Sequence, residues 1–466
     1  MRKAIAFILL CSASKAADWT RFRGPEGSGV AETGALPSVM DESHNLRWKT
    51  VLPAGHSSPV ISDGRVFLTA FEKDELLTIC LDEKSGKILW RKVAPRSKVS
   101  DLDKRNSPAS PSPTIDGKSI YVFFHDFGML SYDYQGKERW RVPMGPFQNV
   151  YGMGASPILA APFVVLVCDQ SAGSFIAAFD STTGKEKWRT ARREALSGHS
   201  TPVVKDGLIY APGSFSMDVY QAATGEVVWH VGGLASEMKS VPVLYKDHIF
   251  ISGYNTPEND PGRQVAIPDF KETIAKFDKN NDQKISLAEA PDEKTRKYFP
   301  YIDLNGDGLM DEQEWKMYAA TMASENGLLS VKLGGKGDVT ASNVSWKFQR
   351  SIPQLPSTLI YRDILYMIND SGVLTTLNPE TGELYKQARL RGVSESFYSS
   401  PVASDGKIFF LSRSGVMTVL EAGSEQKVMA VNELNEESSA TPAIANGRLY
   451  VRTKSALYCF ANQDKK

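Results

Sequence analysis

Cysteine is scarce in this chain, with 4 in 466 residues. No two cysteines are adjacent and none falls in a CxxC spacing, so neither a vicinal disulfide nor a redox or zinc motif is present. Neither sign of charge predominates: 54 basic residues face 54 acidic ones. That balance gives no electrostatic footprint for nucleic acid or an anionic membrane. The sequence contains no serine-elbow motif, no HExxH helix and no glycine-rich phosphate loop. Long apolar runs are missing as well; the one concentrated stretch is Ala4 to Cys11. It is too short to span a bilayer, so no transmembrane segment is expected.

That stretch has the plan of an export signal. Arg2 and Lys3 precede it, and Ser14-Lys15-Ala16 supplies small residues where a signal peptidase reads. Residues 1–16 are expected to be a signal peptide and the mature protein to be exported, periplasmic or extracellular. Leu10 before Cys11 argues for plain secretion over a lipid anchor. Removal of the signal leaves Cys80, Cys168 and Cys459, each inside a β-like run. An odd number in such settings is expected to be buried free thiols.

What is abundant is repetition. A small residue and a proline open a strand, often followed by Asp-Gly and a second strand, as in Ser58-Pro59-Val60-Ile61-Ser62-Asp63-Gly64. Thr201-Pro202 to Gly207 and Ser400-Pro401 to Gly406 repeat the pattern. The proline recurs at 59, 113, 157, 202, 242, 356, 401 and 442. A second landmark closes each unit: Asp82-Glu83-Lys84-Ser85-Gly86-Lys87-Ile88-Leu89-Trp90, Asp180 to Trp188, and Thr224-Gly225 to Trp229. Trp140 and Trp346 end similar strands, Gly382 to Tyr385 is a degenerate copy, and the copy near Val428 lacks the aromatic.

Asp-Gly and Thr-Gly pairs are tight-turn chemistry, because glycine takes positive φ without strain. The runs between them are rich in β-branched and aromatic residues. Four strands per repeat of this length make a propeller blade. Trp48 precedes the first proline unit, and the last unit, Thr441 to Phe460, lacks a final strand. Joining the two closes the ring. The expected fold is all-β, an eight-bladed β-propeller with N- and C-terminal strands sharing one blade, plus a small helical insertion. The tryptophans are expected to pack between neighbouring blades.

The Asp-x-x-x-Gly-Lys-x-x-Trp units resemble the tryptophan-docking repeats of pyrroloquinoline-quinone-like propellers. That family includes quinoprotein alcohol dehydrogenases and the propeller subunit of the outer-membrane protein assembly machinery. The resemblance covers roughly residues 48–257 and 327–466. Residues 17–47 form an N-terminal arm, whose Trp19-Thr20-Arg21-Phe22-Arg23-Gly24-Pro25 resembles the opening of secreted bacterial members; it is expected to lie extended on the propeller surface.

One interval, Pro242 to Pro356, is far too long for a blade. It holds a helical pattern over Ile267 to Phe277 and two EF-hand loops, an inserted pair over residues 268–322. The second loop, Asp303 to Glu314, places oxygen side chains at Asp303, Asn305, Asp307, Asp311 and Glu314, adds the Leu309 carbonyl, and has Gly308 at the sharp turn. The first loop offers Asp278, Asn280, Asp282, Ser286 and Glu289 with the Lys284 carbonyl. Gln283 stands where glycine belongs, so weaker binding is expected there. One to two calcium ions are expected, as a staple for the insertion, with a calcium-sensing switch as the alternative. Ile285 and Met310 fall where paired loops make a short β contact.

Propeller ligands usually sit at one mouth of the central channel. The residues three before each repeat proline are His56, Ser110, Gly154, His199, Lys239, Pro353, Tyr398 and Ser439. His56, His199, Lys239 and Tyr398 facing one channel would suit an anionic ligand or a partner segment; turn hydrogen bonding is the alternative. The resemblance implies that an enzyme of this family would hold pyrroloquinoline quinone over a tryptophan floor, with calcium and an aspartate base. No catalytic aspartate carries over to a position here, and the calcium motifs lie in an insertion. The expectation is therefore a secreted, calcium-binding, non-catalytic binding or scaffold propeller with a protein or glycan partner and no nucleic acid. The alternatives are a quinone-dependent dehydrogenase and an outer-membrane protein assembly factor.

Overall fold

A computed structural model describes residues 18–463 except 97, 98, 101, 150, 194, 196, 197 and 391–395. The expected signal segment lies outside the described residues. Eight blade sheets follow one another along the chain: seven are four-stranded and antiparallel, and the fourth adds Gly337–Asp338 in parallel to its outer strand. In the first blade the strands are Val60–Ser62, Arg65–Glu72, Glu75–Asp82 and Ile88–Ala94. Their two-residue turns carry Asp63 and Gly64, both at positive φ, as the Asp-Gly pairs require. The first strands of neighbouring blades touch one another around the axis, so each blade starts innermost and ends at the rim.

The ring closes as the repeat phase requires. Leu46–Val51 pairs antiparallel with Ala456–Phe460 and becomes the outer strand of the eighth blade. Trp48 faces Cys459 in that register. The three cysteines among the described residues, Cys80, Cys168 and Cys459, are free and buried.

Tryptophans fasten blade to blade. The indole N–H of Trp48 donates to Glu83 O, that of Trp90 to Tyr134 O, Trp140 to Ser181 O, Trp188 to Ala222 O and Trp346 to Pro379 O, at 3.0–3.3 Å. Each acceptor lies in the last turn of the next blade. In the degenerate sixth blade Lys386 takes over, its ammonium donating to Glu425 O at 2.7 Å. At the seam beyond Ala430 the arm compensates: Leu36 and Met40 join the buried cluster against which Ala430 packs.

A second ring of bonds runs near the axis. Ser58 N donates to Ser112 Oγ, Ser112 N to Ser156 Oγ, and Ser156 N to Thr201 Oγ1. Val241 N donates to Ser357 Oγ, Ser357 N to Ser400 Oγ, and Ser400 N to Thr441 Oγ1. The residue two before the inner strand is thus a hydroxyl in every blade but the fifth, and six of them receive the neighbouring blade's N–H; Ser58 Oγ is buried without a partner among the described residues. Val241, the one apolar member, has no oxygen to offer Thr201. The sixth blade departs from the proline pattern: its inner strand is Leu359–Tyr361, so Thr358 occupies the repeat position and Pro356 lies two residues early.

The N-terminal arm does not lie on the outer surface. Trp19 bridges Ile61, Thr20 O accepts from Ile115 N, and Gly29 and Ala31 exchange bonds with Ala403. Between them Arg21 donates to Pro202 O and Arg23 to Thr358 O, both at 2.6 Å. The segment therefore crosses the channel and spans blades one, two, four, six and seven. The inner-strand backbone has unpaired groups facing the axis, and the arm satisfies several of them.

The long interval is an insertion between the second and third strands of the fifth blade, which end and begin at Gly253 and Gly327. It contains helices α1 (Phe270–Phe277), α2 (Glu293–Ile302) and α3 (Glu312–Ala323). The first begins after Pro268, capped by Asp269, three residues later than the apolar pattern predicts. The module has its own core of Phe270, Ile285, Phe299, Ile302, Met310, Trp315, Tyr318 and Met322. Ile285 pairs with Met310, joining the two loops.

Candidate functional site at the channel mouth

The inner strands all start at one face of the ring, and the segments that enter them converge there on a cavity of about 260 Å³. His56, Ser110, Gly154, His199, Lys239, Tyr398 and Ser439 line it together. The eighth repeat position is filled by Leu355 rather than Pro353, as the two-residue offset of Pro356 demands. Below lies a narrower space of about 100 Å³, walled by the hydroxyl ring and floored by Phe22 of the arm.

Five lining residues lie outside the repeat position: Phe22, Arg105, Asn106, Tyr151 and Gln354. Arg105 stacks on the Tyr151 ring at 5.0 Å, and Arg413 stacks on Tyr398 at 4.9 Å. Tyr151 also meets His199 edge-on, with ring centroids 6.2 Å apart. Two lining tyrosines thus each carry a guanidinium on one face, Arg105 in the lining itself and Arg413 behind it. Such a rim offers both a flat apolar surface and donors for oxygen ligands.

Basic groups outweigh acidic ones around the cavity. Arg105 is paired with Asp103 and Lys239 with Glu237. Arg21, Arg23 and Arg452, by contrast, are buried and bond to carbonyl oxygens. Burial lowers the three guanidinium pKa values to about 10, 9 and 9. The His56 imidazole is held down at about 4, by burial first and then by Arg452 and Arg413. Burial and Lys239 hold His199 at about 4 as well. Both histidines are neutral at pH 7. His199 Nδ1 is buried with no hydrogen-bond partner among the described residues. The carboxyl of Asp370, near Lys239, is pushed up by its own burial.

The inserted module holds the second group of expected ligands. In the second loop Asp303 accepts from the backbone of Gly306, Asp307 and Gly308. Glu314 accepts from Leu304, Asn305 and Asp311, and Asp311 caps α3. In the first loop Asp278 accepts from Asn281 and Gln283, Asn280 and Asp282 bond to each other, and Glu289 holds Ser286 and Lys279. The two loops follow one backbone course: Asn281 and Gln283 match Gly306 and Gly308 at positive φ. Lys284 reaches across to Asp307 at 2.9 Å. Oxygen side chains on a tight, twice left-handed turn suit a hard divalent cation.

The fold and the channel define the class: a closed propeller of pyrroloquinoline-quinone-like repeats. The family model described as outer membrane protein assembly factor BamB matches residues 30–152, 152–273 and 319–466, and the chain belongs to that family. BamB from Moraxella catarrhalis superposes with a TM-score of 0.57 at 13% identity, covering 92% of this chain and 100% of its own. Quinohemoprotein alcohol dehydrogenase ADHIIG from Pseudomonas putida HK5 gives 0.59 at 11% identity, covering 97% and 82%. The quinohemoprotein alcohol dehydrogenase of Comamonas testosteroni gives 0.59 at 10%, covering 96% and 81%. At such identities the likeness is one of fold. No curated protein sequence matches the chain significantly. Among the described residues no helix is long and apolar enough to cross a membrane.

Proposed function

We propose that this protein is an exported, non-catalytic binding propeller whose channel cavity receives an acidic segment of a partner protein, with calcium held by the inserted loops. One observation supports it above others. Repeat-equivalent residues that differ chemically from blade to blade (His56, His199, Lys239, Tyr398) line one cavity, which the arm floors. A structural ring would need the same residue in each blade, whereas a receptor needs different ones. The surplus of arginine and the neutral imidazoles favour a carboxylate, which would accept from Lys239 and the rim guanidiniums. The module's calcium would be held by Asp303, Asn305, Asp307, the Leu309 carbonyl, Asp311 and Glu314, and more weakly by Asp278, Asn280, Asp282, the Lys284 carbonyl, Ser286 and Glu289. Without the metal, the clustered carboxylates repel and the insertion loosens.

Calorimetric titration of the chain lacking residues 1–16 tests both parts. The probes are calcium, a short oligoglutamate peptide and pyrroloquinoline quinone. Saturable peptide heat that disappears in Lys239→Ala supports the receptor; no peptide heat sinks it. Saturable quinone binding in the same cavity would instead make the protein an oxidoreductase candidate. Absence of calcium heat would remove the metal from the picture.

A further inference from the structure

The insertion and the cavity share one face. In each antiparallel blade the start of the first strand lies at the same end as the turn between the second and third. The module, inserted in that turn of blade five, therefore rises beside the channel mouth. Tyr301 of α2 is near enough to add to the upward shift of the Tyr151 phenol, which burial and Glu237 dominate.

The root of the module is a knot of three buried asparagines. Asn255, Asn259 and Asn326 are 6%, 0% and 0% exposed. Asn259 Nδ2 donates to Thr321 O and Ser324 O, at 2.7 and 2.8 Å, gripping the end of α3. Asn326 N donates to Asn259 O, and Asn255 N donates to Asn326 Oδ1. The free face of the Asn255 amide then turns toward the channel: its Oδ1 accepts from Glu237 N at 2.9 Å. Glu237 pairs with Lys239, whose side chain is 6% exposed and lines the cavity. Met238 O, between them, accepts from His199 N and Ser200 N. Residues 237–239 are thus clamped between the insertion's root and the His199 wall.

At its other end α3 begins in the second loop. Asp311 is its N-cap and Glu314 lies in its first turn. One helix of 12 residues, roughly 18 Å long at the usual rise, therefore runs from two expected calcium ligands to the asparagine knot. Buried amides with every group engaged transmit displacement poorly absorbed elsewhere, because losing any one bond strands a buried polar group.

We propose that calcium in the second loop orders the Glu237–Lys239 wall of the channel cavity, acting through α3 and the Asn259–Asn326–Asn255 knot. This rests on the calcium-binding reading above, and it assigns the module a regulatory task at the cavity. Calcium binding that draws in Glu314 and Asp311 fixes the start of α3. The fixed helix holds Thr321 and Ser324 on Asn259, and Asn255 holds Glu237. Rigidity gained in the loop is then shared by the wall.

Amide hydrogen exchange on the chain lacking residues 1–16 tests this, comparing about 1 mM calcium with chelator. Exchange at residues 237–239 and at His199 and Ser200 is expected to slow about fivefold or more with calcium, in the usual range of coupling between sites. In Glu314→Gln that response should vanish while the propeller stays folded. In Asn255→Ala calcium should still protect the module but no longer the wall. Protection confined to residues 268–322 in the unmodified chain overturns the proposal and leaves calcium binding intact. Loss of protection everywhere, with no calcium bound, overturns both. If Asn255→Ala does not fold, the Glu314→Gln comparison decides alone.

Discussion

The indole of Trp48 lies flat against Gly86, so that a Cβ on that glycine would come within 2.5 Å of the ring. The two residues face each other across the junction of the eighth blade with the first. Gly86 also has φ near 70°. Gly86→Ala therefore meets both a left-handed backbone penalty and a clash. Destabilisation of about 2–4 kcal/mol is expected from the two together, measured by urea unfolding. A neutral result would show that the closing blade can shift without cost.

The hydroxyl ring gives a pair of opposite expectations. Ser112 Oγ accepts from Ser58 N in a buried place. Ser112→Ala strands that N–H and should cost about 1–3 kcal/mol. Val241→Thr supplies a hydroxyl where Thr201 N lacks one, and should gain roughly 0.5–1.5 kcal/mol if the methyl fits. Melting temperatures of the two variants moving in the same direction would contradict the ring as a stabilising device.

Gln283 holds a left-handed backbone at φ 63°, where the second loop has Gly308. Gln283→Gly should remove a penalty of about 1–2 kcal/mol. Calcium affinity of the first loop, read by calorimetry with Glu314→Gln silencing the second, should rise roughly three- to tenfold. An unchanged affinity would mean that the strain is retained in the bound state.

Acid should weaken the fold through the channel histidines. His56 and His199 sit near 4 when folded, against an ordinary value of 6.5. Between those values the unfolded chain binds more protons, so stability is full above about 6.5 and falls as pH drops toward 4. Asp370, shifted upward, works in the opposite sense. His56→Gln with His199→Gln should flatten the melting-temperature profile across that window. A profile as steep as before would place the responsible protons elsewhere.

Much of the site was readable because it follows the repeat. His56 and His199 occupy the same phase of two blades, and counting back from the proline found both. The same rule failed in blade six, where Pro356 stands two residues before the repeat position and the true lining residue is Leu355. Arg105 and Tyr151 come from connections between blades, which carry no periodicity to count. Phe22 could not be found at all by local pattern: its place depends on contacts between residues 19–31 and inner strands as distant as Ala403. The surface position expected for the arm failed for the same reason.

The position of the arm has a consequence for how the molecule is made. Synthesis begins at the N-terminus, yet residues 19–51 find partners as late as Asn432 and Phe460. These early residues must wait, unpaired, for partners made much later. The eighth blade cannot be complete until the final strand has arrived. A chain stopped short of that strand would leave Leu46–Val51 unpaired and the ring open, so that this early segment registers whether the late one has been delivered.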